Sequence, residues 1–219
     1  MTKVVDGAAL ASCFKVVSSC GSEIEAMSDS LINLLAEAIS EKNNNRPLPC
    51  AISDKHFSSY SMDDSSWVCT DIAYNLPLKN VGKRKTLAYL GFQISMAGAG
   101  IAAPGNNEPL VHVFLWKVPV DFNEFFMGFP LEKDDKIRVL DNLLIEWTPE
   151  EEIEKWSDRE WLFSLRLTSL NSSEDLKRCI VDPALALLRG ETVLSALPSS
   201  IDGLIHYTDV QQLFSEVEG

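Results

Sequence analysis

The fold is decided by residues 87–118, which read LAYLGFQISMAGAGIAAPGNNEPLVHVFLWKV. From Leu87 to Met96 every second side chain is apolar, an alternation that is typical of a half-buried β-strand. The segment from Ala103 to Pro109 holds two prolines, a glycine and two asparagines, and it predicts a turn. Leu110 to Val118 is apolar on both faces except at one histidine and one lysine, a pattern that favours a central strand.

Further strands are predicted on both sides of this pair. Trp67 to Leu76 alternates in the same way, so that residues 67–118 form an antiparallel β-meander. Residues 161–169 alternate clearly and predict another strand. Residues 137–147 are mostly alternate and predict one more.

The small residues that follow Met96 lie where the chain enters a turn. A phosphate-binding loop needs a helix N-terminus directly after its glycines, and none is expected here. Gly98 and Gly100 therefore indicate a bulge, a twist or a close approach of the backbone at the end of a strand.

The N-terminal part of the chain is predicted to be helical. Residues 3–20 are mildly apolar, and Ser22 with Glu25 forms a capping-box pattern. A helix is predicted from about residue 23 to residue 42, with its apolar side chains at helical spacing. The polar residues 43–66 are predicted to be a long connection.

The C-terminal part alternates between helix and strand signals. A proline at the first helical position predicts a short helix from residue 148 to about residue 157. A longer helix is predicted from Ser172 to Arg189, and Pro183 must kink it or split it in two. A short strand near 203–207 and a last helix from Asp209 to Glu216 complete the chain.

Strands come in runs, with helices before and after them, which favours an α+β fold over a doubly wound α/β fold. The length of 219 residues suits a single domain. We expect one α+β domain over 1–219, a mainly antiparallel sheet with N-terminal and C-terminal helices packed on it. Its parts are an N-terminal helical segment 1–45, the β-meander 66–118 and an acidic α/β portion 119–219.

The negative charge is concentrated in the second half of the chain. The formal net charge is −13 and the sequence pI is about 4.6. Residues 1–118 hold 11 acids and 10 bases, whereas residues 119–219 hold 21 acids and 9 bases. This balance disfavours nucleic acid and anionic membranes as partners. It favours a basic partner protein.

The five cysteines are odd in number and irregularly spaced, which argues against a disulfide framework and for a reducing compartment. No apolar segment approaches the length that crosses a bilayer, and the N-terminus lacks a secretory signal pattern. We therefore expect a cytoplasmic protein, and no sequence pattern indicates a cofactor.

Three residues are weak candidates for catalysis. Asp71 could join other carboxylates around a metal ion, but no motif places acids at fixed offsets, so we assign no metal ligand and expect an outward-facing acid. Cys69 and His112 could act as nucleophile and base if strand order brought them together. A lone histidine in an apolar strand is more often packed and hydrogen-bonded.

Four phenylalanines follow one another at positions i, i+3, i+4 and i+7, which places them on one face of a short helix capped by Asp121 and Glu124. That face could pack on the sheet or serve as a docking surface rimmed by charge. The four are Phe122, Phe125, Phe126 and Phe129.

An acidic run follows at the predicted helix start near residue 148, where carboxylates also favour the helix dipole. Its acids, with the four phenylalanines, are the candidate partner-binding residues. They are Glu150, Glu151, Glu152 and Glu154.

These observations predict a non-enzymatic protein-binding module, with the general character of an acidic inhibitor or immunity-type protein that engages a basic partner. Self-association into a homo-oligomer is compatible with the same features. The alternative is a metal-dependent hydrolase with a carboxylate site around Asp71.

Overall fold

The computed structural model describes residues 6–40, 47–102, 106–129, 131, 136–147 and 155–207. Within these ranges a long N-terminal helix and a C-terminal helical region accompany an antiparallel eight-stranded sheet. This confirms the predicted α+β class. The helices are α1 (Gly7–Ser40), α2 (Ser173–Leu176), α3 (Asp182–Leu188) and α4 (Val193–Ala196). The strands are β1 (Cys50–Ile52), β2 (Phe57–Met62), β3 (Cys69–Asn80), β4 (Ala88–Ser95), β5 (Leu110–Trp116), β6 (Ile137–Leu140), β7 (Leu144–Trp147) and β8 (Glu160–Arg166).

The strands follow the order β1-β3-β4-β5-β8-β7-β6, and β2 also pairs with β3. The β3-β4-β5 meander and the strand β8 are confirmed. β5 lies in the middle of the sheet and is buried from Leu110 to Leu115, as its two apolar faces predict. The chain leaves β5 and returns through β6, β7 and β8, so that β8 pairs with β5.

The sheet has two covered faces. The first, here called the helix face, packs side chains such as Leu90 and Phe163 against Leu31 of α1 and Leu187 of α3. The second, here called the cover face, packs against an irregular segment, residues 120–129 with Leu131, and against the segment that contains Ile205 and Tyr207. Its buried apolar side chains include Phe114, Ile145, Leu162, Met127 and Phe129.

In two regions the observed strands differ from those that the sequence patterns predict. Residues 43–66 were expected to be a connection, but β1 and β2 lie there and both pair with the outer edge of β3. β2 is serine-rich and largely exposed, so its sequence lacks the apolar alternation by which a strand is predicted. Residues 137–147 form a hairpin rather than one strand. Asp141 and Asn142 adopt positive φ angles of 51° and 59° in its tight turn, a type I′ feature that these residue types favour.

The C-terminal helix is interrupted just before Pro183, the residue predicted to kink it or split it in two. Ser172 caps α2 by accepting a hydrogen bond from the Asp175 backbone N–H at 3.1 Å. A five-residue π-helical turn, Lys177–Val181, joins α2 to α3. The predicted strand near 203–207 is only one bridge, between Leu204 and Leu165 of β8. Of the helix predicted at 148–157, only the end is described, and Trp156–Asp158 is a 3₁₀ turn. The helix predicted at 209–216 lies outside the described residues.

The helix α1 is continuous over 34 residues, where two helical segments were predicted. Its C-terminal half packs on the helix face through five buried residues, whereas every residue from Gly7 to Glu23 is exposed. The buried residues are Ser28, Leu31, Ile32, Leu35 and Ile39. None of the described helices has the length and apolar character that a membrane crossing requires.

Close packing at the centre of the sheet predicts that Gly91 of β4 tolerates no side chain. A Cβ atom there would overlap the Tyr74 carbonyl oxygen and the Phe114 ring. We expect Gly91→Ala to lower the free energy of unfolding by about 3 kcal/mol, since overpacking forces strand and ring apart. Urea unfolding followed by tryptophan fluorescence measures this loss.

Gly7→Ala is the matched control, because no atom lies within 4 Å of a Cβ at Gly7. Equal urea midpoints for the two variants would contradict the packing described here.

Candidate functional site

A row of polar side chains crosses the cover face, among neighbours that are mostly apolar. The register places Asp71 of β3 opposite Ser95 of β4, and Gln93 of β4 opposite His112 of β5. His112 in turn lies opposite Ser164 of β8. We call these five residues the polar layer. All of them are buried except Asp71, which is half-buried.

His112 lies within a chain of three short hydrogen bonds. Its Nε2 is 2.6 Å from the Gly100 carbonyl oxygen, which can only accept, so this nitrogen carries the proton. Nδ1 then accepts from the Ser164 hydroxyl at 2.7 Å. Ser164 Oγ accepts from the Tyr207 hydroxyl at 2.8 Å. The chain therefore runs in one direction and satisfies every polar atom in it.

Burial determines the protonation of this chain. Loss of hydration lowers the pKa of His112 to about 4, and the hydrogen bond to the Gly100 carbonyl opposes this only in part. Burial also raises the pKa of Tyr207. Both groups are thus neutral near pH 7, as an uncompensated buried charge would be costly.

The pairing of a serine with a histidine resembles a nucleophile and its base. Here, however, both side chains have no exposed surface, and a backbone carbonyl stands where a catalytic carboxylate would orient the ring. Both side chains lie inside the cover face of the described structure. His112 is the packed, hydrogen-bonded histidine that its apolar strand predicts.

In the rest of the polar layer, Gln93 binds both Ser95 and Asp71. Its Nε2 donates to Ser95 Oγ at 2.8 Å and to Asp71 Oδ1 at 3.2 Å, and its Oε1 accepts the Met127 backbone N–H at 2.6 Å. Asp71 therefore faces the polar layer, and the expectation of an outward-facing acid was wrong. A Cβ at Gly100 would lie 2.8 Å from Asp71 Oδ1, which confirms the predicted close backbone approach.

The structure does not bring Cys69 and His112 together. The residue of β3 in line with Gln93 and His112 is Ala73, so Cys69 lies four residues, about 13 Å, farther along the strand. Burial raises the pKa of the Cys69 thiol, the opposite of what activates a nucleophile. No group of three or more metal-ligating side chains occurs among the described residues.

A buried charged group, missed in the sequence patterns, lies near the opposite edge of the sheet, on β7. Glu146 of β7 is 1% exposed and is paired with Arg138 of β6 and with Arg159, whose Nε lies 3.0 Å from Glu146 Oε1. With both carboxylate oxygens engaged, Glu146 ties β6, β7 and the start of β8 together. Removing either arginine would leave a buried carboxylate underpaired.

The phenylalanine segment is not a helix, contrary to the prediction. Its chain is held at both ends: Asn75 exchanges two hydrogen bonds with the Val120 backbone, at 2.8 and 3.1 Å, and Gln93 binds Met127. Between these anchors an Asp121–Phe125 bridge closes a turn. These two contacts with the sheet thus decide the conformation of the segment, which differs from the helix that the spacing predicts.

This turn distributes the four phenylalanines differently from the predicted shared face. Phe129 is fully buried, with its ring 5.6 Å from those of His112 and Tyr207. Phe122 is half-buried, and Phe125 and Phe126 are 43% and 50% exposed. The acidic candidates Glu150, Glu151, Glu152 and Glu154 lie outside the described residues.

A small concave site lies beside the exposed phenylalanines, and we call it the aromatic pocket. It has a volume of about 190 Å³ and is lined by Trp116, Val120, Phe125, Phe126, Leu131 and Trp147, with Glu124 at its rim. The rings of Trp116 and Trp147 are 4.3 Å apart. The buried Trp147 Nε1 has no hydrogen-bond acceptor in the part of the chain that the structure describes.

Comparison with protein-family models, with curated proteins and with solved structures finds no match to this chain. The roles of the pocket and of the polar layer are therefore argued from their geometry alone.

The buried histidine predicts a specific pH dependence of stability. Because the folded-state pKa of His112 is about 4 and its unfolded value is about 6.5, the stability due to the neutral ring is fully present above pH 6.5. It is lost as the pH falls toward 4. From pH 7 to pH 5 the protein should lose about 2 kcal/mol more unfolding free energy than His112→Gln.

Urea unfolding at the two pH values measures this difference. His206→Gln, which removes an exposed histidine, is the control and should retain the slope of the unchanged protein. Equal losses in the unchanged protein and in His112→Gln would show that His112 is not held neutral.

Proposed function

We propose that this protein is a non-enzymatic binding module, and that the aromatic pocket receives an apolar side chain from a basic partner protein. The observation that carries the proposal is a small pocket lined mostly by apolar and aromatic side chains, with two exposed phenylalanines beside it. Its volume of about 190 Å³ is below the roughly 300–1,000 Å³ of small-molecule sites. The pocket therefore suits one large side chain of a protein.

Two indole rings in the pocket support a protein ligand. Trp116 and Trp147 both line it, and their rings are 4.3 Å apart. Indole rings at the centre of an interface are among the side chains that most often dominate binding energy.

The rim supports the same conclusion. Phe125 and Phe126 are neighbours in sequence, and about half of each side chain faces solvent. Adjacent exposed aromatic rings are typical of interaction surfaces. A partner segment lying across the pocket would cover both rings.

Charge supports a basic partner. The pocket is built mainly from the acidic half of the chain, and Asp121 and Glu124 lie next to the exposed rings. Opposite charge on the partner would raise the association rate and disfavour acidic competitors. An acidic inhibitor that covers a basic site on another protein is the role that fits these features.

Two further features support the proposal: the burial of the polar layer favours a non-enzymatic role, and the free cysteines favour a reducing compartment. The Ser164–His112 pair has no exposed surface, which favours a structural role over catalysis. All five cysteines are free thiols, which favours the reducing cytoplasm as the site of action.

Random-peptide phage display on the intact protein tests this function. We expect selected peptides to carry one large apolar residue flanked by Lys or Arg. Phe126→Ser should weaken their binding about tenfold, as expected when a rim contact worth roughly 1.4 kcal/mol is lost. Titration followed by tryptophan fluorescence measures the affinity.

Phe57→Ser is the matched control, because Phe57 is 41% exposed on β2 and does not line the pocket. The proposal fails if selected peptides lack basic residues, or if Phe126→Ser and Phe57→Ser bind them equally well.

A further inference from the structure

The exposed half of α1, Gly7–Glu23, is here called the overhang. It extends about 25 Å at 1.5 Å per residue, and each of its residues is exposed. Serine, cysteine, valine and glycine make up much of it, and these residues are weak helix formers. A helix of this length is marginal in water without packing, so the overhang needs a covering surface.

An apolar stripe along α1 indicates where that cover must lie. The residues of this stripe, most of them apolar, recur at alternating intervals of four and three positions, which is the spacing of a helix-packing seam. The C-terminal part of the stripe is Ile24, Ser28, Leu31 and Leu35, and it packs in the protein's own core. The N-terminal part is Leu10, Phe14, Val17 and Gly21.

The N-terminal part of the stripe is left open. Leu10, Phe14 and Val17 are 50%, 52% and 48% exposed. The neighbouring Trp67 is 71% exposed, and its ring lies 6.3 Å from that of Phe14. The seam that the sheet covers in one half of α1 thus continues into solvent in the other half.

We propose that the overhangs of two copies of this chain pack against each other in antiparallel orientation and form a homodimer. With the twofold axis between Lys15 and Val16, residues 8–23 of one overhang lie along residues 23–8 of the other. Leu10 then lies opposite Gly21, and Phe14 opposite Val17, each twice by symmetry. Large side chains face small ones in every layer, the complementarity that close packing requires.

Charge favours a second copy as the occupant. The charged residues of the overhang are one base, Lys15, and one acid, Glu23. Two overhangs therefore approach each other with little electrostatic repulsion. The antiparallel orientation places the two acidic bodies at opposite ends of the helix pair. This surface is separate from the aromatic pocket, so the dimer does not depend on the proposed function.

Two exposed thiols report the orientation. Cys13 and Cys20 are seven residues apart and flank the stripe on one side. In an antiparallel coiled pair, flanking residues of this kind face each other across the axis. Cys13 of one copy then lies near Cys20 of the other, whereas a parallel pair would place Cys13 beside Ser18 of the other copy.

Size-exclusion chromatography with light scattering on the full chain tests the dimer. We expect twice the monomer mass of 24.3 kDa at micromolar concentration. Phe14→Glu should give the monomer mass, with circular dichroism and urea midpoint showing that it remains folded. Val16→Glu, at an exposed position outside the stripe, should remain a dimer. A monomeric unchanged protein, or a dimeric Phe14→Glu, overturns the proposal.

Crosslinking with a short bismaleimide under reducing pre-treatment tests the orientation. The unchanged chain should yield a covalent dimer, and Cys20→Ser should lose it. A covalent dimer that persists in Cys20→Ser would overturn the antiparallel arrangement.

Discussion

The hydrogen-bond chain from Tyr207 through Ser164 and His112 to Gly100 holds together four segments that are distant in sequence. It lies where water does not reach, so each polar atom is satisfied only when all four segments are in place. The C-terminal arm, β8, β5 and the turn after β4 are fixed in one arrangement by this requirement. The apolar packing on the cover face is less specific, because dispersion and hydrophobic contacts have little directionality.

The shape of the aromatic pocket follows from the same constraint. Phe129 packs on His112 and Tyr207, while Asn75 and Gln93 bind the backbone on either side of the phenylalanine turn. Phe125 and Phe126 are therefore held outward by contacts made below them. A partner of the kind proposed above would therefore meet a surface that is already fixed and that loses little conformational freedom on binding.

The sequence predicts those parts of the fold whose signals are local. Alternation identifies β3, β4 and β8, a run that is apolar on both faces identifies β5, and Pro183 identifies the interruption between α2 and α3. Features that depend on distant partners are not visible in it. Helical spacing misplaced the phenylalanines because Asn75 and Gln93, far along the chain, determine the turn. Trp147 becomes a pocket residue only because β7 pairs with β8, and the partnership of Glu146 with two arginines depends on that same pairing.

The edges of the sheet bear on aggregation. The longest strand, β3, is flanked on its outer side by two short strands, and at the opposite edge β6 has only four residues, with Arg138 among them. Open strand edges template fibril growth when they are long, flat and apolar, and short or charged edges prevent it. The short strands at both described edges of this sheet therefore disfavour growth by addition of one strand after another.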